Sequence, residues 1–221
     1  MSGQNSTQNW RYGRALIVLL ICVSLFSNLQ AHPHIWVDLQ ITPQFDEHKA
    51  LTGFSQRWQF DPFYSLVLAE DLQHPNPQRL EELKLDIWQN LEPLNFYTEL
   101  TVAGQNQSLN PNGGLQLEMD GLNVVLAFDL NLREPLTAEQ LATADVRYRI
   151  FEPTYYIDIM HQETQGLIFP EHAGHCEYDI IAPQPSADIR QRALDVDDPN
   201  APVDNSLGQH FAQTVVIQCA N

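Results

Sequence analysis

The sequence predicts a strand-dominated α+β fold of two packed, mainly antiparallel sheets, with two helices near residues 62–91. Three observations predict it. Apolar and polar residues alternate with period two in stretch after stretch, beginning at Pro33. Apolar residues recur at helical spacing between Asp61 and Leu91. Turn signals such as Asn110-Pro111-Asn112-Gly113-Gly114 and Asp120-Gly121 separate the candidate strands.

The chain begins with a polar stretch in which Arg11 and Arg14 are the charges. Ala15 to Phe26 is apolar apart from Ser24, and Ser27-Asn28-Leu29-Gln30-Ala31 follows. A basic start, a short apolar run and a small residue at the cut are the parts of a secretory signal peptide. Residues 1–31 are therefore expected to be removed after Ala31, taking Cys22 with them. A permanent membrane anchor would need about 20 apolar residues, more than this run provides. Residues 32–221 then form one domain of ordinary size, and the mature chain starts His32-Pro33-His34.

From Pro33 to Thr42, Ile35, Val37, Leu39 and Ile41 point one way and His34, Trp36, Asp38 and Gln40 the other, as in a half-buried strand. Residues 44–50 make a turn into a second strand, Leu51 to Phe60. Asp61-Pro62 reads as a helix cap followed by proline at the first helical position. Phe63, Leu66, Val67 and Glu70 carry a short helix to about Leu72, and His74-Pro75-Asn76-Pro77 breaks it. Leu80, Leu83, Ile87 and Leu91 define a second helix over 78–91. Strands are expected at 96–103, 114–119, 122–132, 145–151, 155–161, 175–182 and 210–219. A brief helix is expected at 137–143, and a long loop over 183–207 has room for another at 187–194.

The chain has 11 basic and 28 acidic residues and a formal net charge of −17. Such a surface repels nucleic acid and anionic lipid and attracts cations, besides aiding solubility. With Cys22 removed, Cys176 and Cys219 remain, and two thiols in an exported protein ordinarily pair. A thiolate metal site is the alternative, with His175 adjacent.

The candidate chemistry centres on the chain start. A free terminal amine with its own imidazole chelates copper or nickel, and a second imidazole makes three nitrogens. His32 and His34 share a face of the first strand, with Cα atoms about 6.5–7 Å apart. The alternative is two solvent-facing histidines. Weaker candidates are His172 and His175 in a loop, His161 on a strand, and Asp61, whose ordinary role is the helix cap. Core packing is the ordinary role of Tyr155 and Tyr156. The stretch Asp195–Asp198 lacks the glycine and terminal glutamate of a calcium loop. No phosphate loop, dinucleotide fingerprint or nucleophile elbow is present, so no catalytic role is assigned.

Four landmarks resemble an exported bacterial family, the domain-of-unknown-function 1007 family. They are Ala31-His32-Pro33-His34-Ile35-Trp36-Val37-Asp38, Arg57-Trp58-Gln59-Phe60-Asp61-Pro62-Phe63-Tyr64-Ser65, Phe151-Glu152-Pro153-Thr154-Tyr155-Tyr156-Ile157-Asp158, and the Cys176/Cys219 ending. The resemblance implies a periplasmic component described with ABC-type transport and associated with nickel/cobalt permeases. The expected function is thus a periplasmic accessory protein that binds a divalent transition metal (nickel, cobalt, zinc or copper) and serves an inner-membrane metal permease. A copper enzyme or carrier with an N-terminal histidine brace is the second reading. It needs a distant histidine, from His161, His172 or His210. An envelope interaction module without metal is the third. No nucleic-acid partner is expected, nor a membrane anchor after signal cleavage.

Overall fold

β1 (Ile35–Phe45) and β2 (Leu51–Phe60) form an antiparallel hairpin in which Val37 faces Phe60 and Leu39 faces Trp58. The expected alternation of β1 is realised: Ile35, Val37, Leu39 and Ile41 are buried, while Trp36 and Asp38 are exposed. Asp46 closes the turn, its carboxylate accepting from the amides of His48 and Ala50. This computed structural model describes residues 34–73, 76–163, 165–196 and 202–220. The leader, its cut site, Cys22, His32 and most of the acidic stretch after Asp195 lie outside the described residues.

α1 (Pro62–Gln73) follows β2, and α2 (Pro77–Leu91) begins under an Asn76 cap that accepts from the Gln78 and Arg79 amides. β3 (Thr98–Val102), β4 (Gln105–Asn106), β5 (Leu109–Asp120), β6 (Asn123–Leu136), α3 (Ala138–Thr143), β7 (Val146–Ile150), β8 (Ile157–His161), β9 (Cys176–Ile181), α4 (Ala187–Leu194) and β10 (Thr214–Cys219) complete the described strands and α-helices. One sheet runs β5-β6-β2-β1-β8 and the other β4-β3-β7-β10-β9. All pairings are antiparallel except β1 with β8.

The inner faces of the two sheets share one apolar core. Phe54 and Trp58 from one sheet join Leu100, Tyr148 and Val215 from the other. The Phe54 and Tyr148 rings lie 5.6 Å apart, and Gln56 crosses the interface to donate to the Thr98 hydroxyl at 2.9 Å. Such buried polar links hold register where apolar contact alone would allow sliding. These contacts belong to a compact unit, His32–Asn221. No helix among the described residues is long and apolar enough to cross a membrane.

Three local expectations are corrected. Residues 110–114 do not form a turn. They sit inside β5, where the register slips between Asn112 and Gln116 and Gly113 takes φ +82°. β5 is an edge strand, so proline and a glycine bulge are tolerated there. The strands expected from 155 and 210 start later, at Ile157 and Thr214, because compact turns occupy the preceding residues. In α1 the side chains Phe63, Leu66 and Val67 face solvent, while Ser65 and Ala69 are buried and Tyr64, Leu68 and Leu72 pack against the core. The sequence stripe marks a real helical face, but the sheets cover the other one.

Candidate functional site

His34 stands at the head of β1. Its backbone amide donates to the Tyr156 carbonyl at 3.1 Å, and its ring centroid lies 4.7 Å from that of Tyr156. The parallel register places Ile35 against Ile157 and Trp36 against Asp158. His34 and Asp158 are thus diagonal neighbours on the outward face, their Cα atoms roughly 8 Å apart by strand geometry. Burial lifts the Asp158 carboxyl from the usual 3.8 to about 6. A carboxylate held away from water is destabilising unless a cation or donor meets it, which makes such a group a marker for function.

The turn before β8 positions this pair. The buried Glu152 carboxylate accepts from the Thr154 amide and hydroxyl and from the Tyr156 amide at 2.7 Å. Gly208 closes the turn from below: a Cβ there would sit 1.8 Å from the Glu152 carbonyl oxygen. Tyr155 adopts φ +64° and stacks on Phe211 with centroids 3.8 Å apart. Burial, then the neighbouring Asp158, pushes its hydroxyl up to about 12. A tyrosine in the left-handed region is held there only by its surroundings.

Asp61 joins the second landmark to the first. One carboxylate oxygen accepts from the Phe63 and Tyr64 amides at 2.8 and 3.0 Å, which is the helix cap. The other accepts from the Trp36 amide at 3.1 Å, and the Asp61 amide returns a bond to the Trp36 carbonyl at 2.9 Å. Tyr64 is raised by burial and then by Tyr156. Tyr97 is pushed up to about 12 by burial, then by Glu152 and Tyr64. Asn95, Phe96 and Tyr97 occupy the left-handed region in succession, with φ of 51°, 52° and 57°. Three segments far apart in sequence therefore converge at one end of the sandwich: 34–38, 60–65 and 151–158.

The other predicted site residues are placed as follows. Asp61 spends both oxygens on backbone amides. His161 is buried on the inner face of β8. Its Nδ1 lies 2.8 Å from the Gln213 carbonyl oxygen and its Nε2 2.7 Å from the Tyr148 hydroxyl. That oxygen can only accept, so Nδ1 carries the proton and Nε2 accepts from Tyr148. Burial lowers the imidazole pKa, against the Gln213 bond that raises it. A neutral ring with both nitrogens engaged is a core component, and ligating a metal would mean displacing Tyr148. His175 is exposed beside the disulfide. Cys176 and Cys219 stand opposite each other in β9 and β10 and are bonded, which removes the thiolate-site alternative. By register, that end of the sheet lies roughly 20 Å along the strands from Ile150, away from His34. His172 lies in the Glu171–Ala173 turn beside the β1–β2 turn, at the opposite end of β1 from His34, and its side chain lies outside the described atoms. His210 is exposed and precedes Phe211, so its turn does pack on the Tyr155 side of the site. Among the described residues, no three His, Cys, Asp or Glu side chains gather as a metal group.

Asp158 escaped the sequence reading as a ligand. Its phase opposite Ile157 and Ile159 places it on an outward face, but only the parallel pairing with β1 brings it to His34.

A family model described as "Protein of unknown function (DUF1007)" matches residues 17–219. A Haemophilus influenzae protein named "Uncharacterized protein" is 29% identical over 206 residues, covering 91% of this chain and 97% of the relative. With three of the four landmarks gathered at one end of the fold and the fourth forming its disulfide, the chain belongs to the DUF1007 family.

Proposed function

We propose that the protein is a periplasmic accessory protein that binds a divalent transition metal at its mature N-terminus and serves a membrane metal permease. The observation that carries this reading is the outward, diagonal placement of His34 and Asp158 where the chain from His32 enters the fold. The terminal amine and the imidazoles of His32 and His34 would supply three nitrogens. Asp158 is a carboxylate on that face, and a bound cation would favour its ionised form. Nickel, cobalt, zinc and copper all accept such a set, with copper bound most tightly in the usual order. The permease partner rests on the resemblance described above, and the metal is cargo rather than a resident cofactor.

Mass spectrometry of the exported protein checks the first requirement, a chain that begins at His32. Calorimetric titration with each of the four metals then compares it with the His32→Ala/His34→Ala double variant. Loss of the tightest binding step in the variant supports the reading, and equal affinity in both proteins removes the site. One observation favours the copper-brace alternative enough to keep it: the turn carrying His210 packs against Tyr155. A His210→Ala variant with unchanged copper affinity would exclude it.

A further inference from the structure

α1 is apolar on two faces. Its inner face is locked to the end of the sheet: the Ser65 hydroxyl accepts from the Val124 amide at 2.8 Å and donates to the Phe60 carbonyl at 3.3 Å. The helix therefore cannot roll to hide its other side. There, Phe63, Leu66 and Val67 are 82%, 70% and 71% exposed. Two more exposed apolar side chains stand at the same end. Leu122, 75% exposed, caps the β5–β6 turn, whose Asn123 amide nitrogen donates to the Phe60 carbonyl at 2.7 Å. Trp36, 49% exposed, is tied to Asp61 at the start of α1. A grouped apolar face of this kind marks an interaction surface.

Charge and spacing define the occupant. The charged residues of α1 are Glu70 and Asp71, and the helix has no basic residue. Asp71 faces Arg79 at 3.6 Å, while Glu70 is exposed. Phe63, Leu66, Val67 and Glu70 follow the i, i+3, i+4, i+7 spacing by which one helix meets another. A second copy of this chain, with its net charge of −17, or an anionic bilayer would bring negative charge to a face edged by the exposed Glu70. We propose that the outer face of α1, with Leu122 and Trp36, docks an amphipathic helix of a partner protein whose apolar stripe is flanked by lysine or arginine. The proposal does not depend on metal binding, and its variants leave His34 and Asp158 untouched.

The test titrates the purified protein with a synthetic helical peptide bearing leucines on one face and lysines beside them. The same peptide with glutamates in place of the lysines is the control. Saturable, salt-sensitive binding of the lysine peptide, weakened about tenfold or more by Leu66→Asp and by Val67→Asp, is the expected result. Both sites are exposed, and circular dichroism checks that the variants keep the fold. The glutamate peptide should not bind. No binding of the lysine peptide overturns the proposal. So does equal binding to the Asp variants, because simple charge attraction would if anything grow with an added carboxylate. Patch-dependent binding to phosphatidylcholine vesicles, or a patch-dependent dimer in sedimentation, overturns it in favour of a bilayer or a second copy.

Discussion

Replacing Asp158 with Asn should stabilise the protein at neutral pH and leave it unchanged in acid. The carboxyl is lifted by burial from 3.8 to about 6, a shift of roughly two pH units. Each unit corresponds to about 1.4 kcal/mol, so the ionised group disfavours the fold by at most about 3 kcal/mol. Its partial exposure lowers this to about 2 kcal/mol. Because the folded state favours the protonated form, stability is fully present below the unfolded pKa and is lost as pH rises through about 6. Asparagine mimics the protonated acid and removes that loss. Thermal melts of both proteins from pH 4 to pH 8, without metal, read the effect. The melting temperatures should coincide near pH 4 and differ by about 4–8 °C at pH 8, the variant being higher. The Tyr155 hydroxyl, which Asp158 helps to raise, stays protonated across this range. Groups distant from Asp158 titrate alike in both proteins and cancel in the difference. A pH-independent difference, or a variant less stable at pH 8, would refute the claim that Asp158 is held at a cost.

The buried histidine gives the opposite slope: because burial lowers the His161 pKa, its share of stability is present above pH 6.5 and is lost as pH falls through the lower folded value. Tyr148→Phe leaves His161 Nε2 without its donor and should cost about 1–3 kcal/mol in urea unfolding, with metal affinity unchanged. Asp61→Ala removes the α1 cap and the carboxylate bond to Trp36; a loss of about 1–2 kcal/mol is expected, read by denaturant titration. Reducing the Cys176–Cys219 bridge, which spans 43 residues, should lower stability by about 4 kcal/mol in the chain-entropy description, read by melting with and without reductant.

The sheet-forming elements were legible because burial imposes a two-residue period, and β1 and β2 carry it plainly. Helix signals were equally local: Asp61-Pro62 at α1 and Leu80, Leu83 and Ile87 in α2. What period and propensity do not carry is which element lies beside which. The parallel pairing of β1 with β8 joins residues more than a hundred positions apart, and it alone makes Asp158 a neighbour of His34. The α1 stripe was legible as a helical face, but the side covered by the sheets depends on Ser65 reaching the Val124 amide. Asn110–Gly114 carries every mark of a turn, and an edge strand absorbs it as a bulge, because strand pairing on one side suffices to hold it. His161 illustrates the reverse: its alternation placed it on a strand, and its burial partners Tyr148 and Gln213 came from distant elements of the chain.

The central claim is that the chain beginning at His32 grips a divalent cation through the imidazoles of His32 and His34. X-ray absorption of the exported protein loaded with one equivalent of zinc tests it most directly. Imidazole nitrogens are expected at about 2.0–2.1 Å from the ion, lost together in the His32→Ala/His34→Ala protein. The same nitrogen shell in the wild-type and double-variant proteins, or an ion bound by oxygen alone, would contradict it.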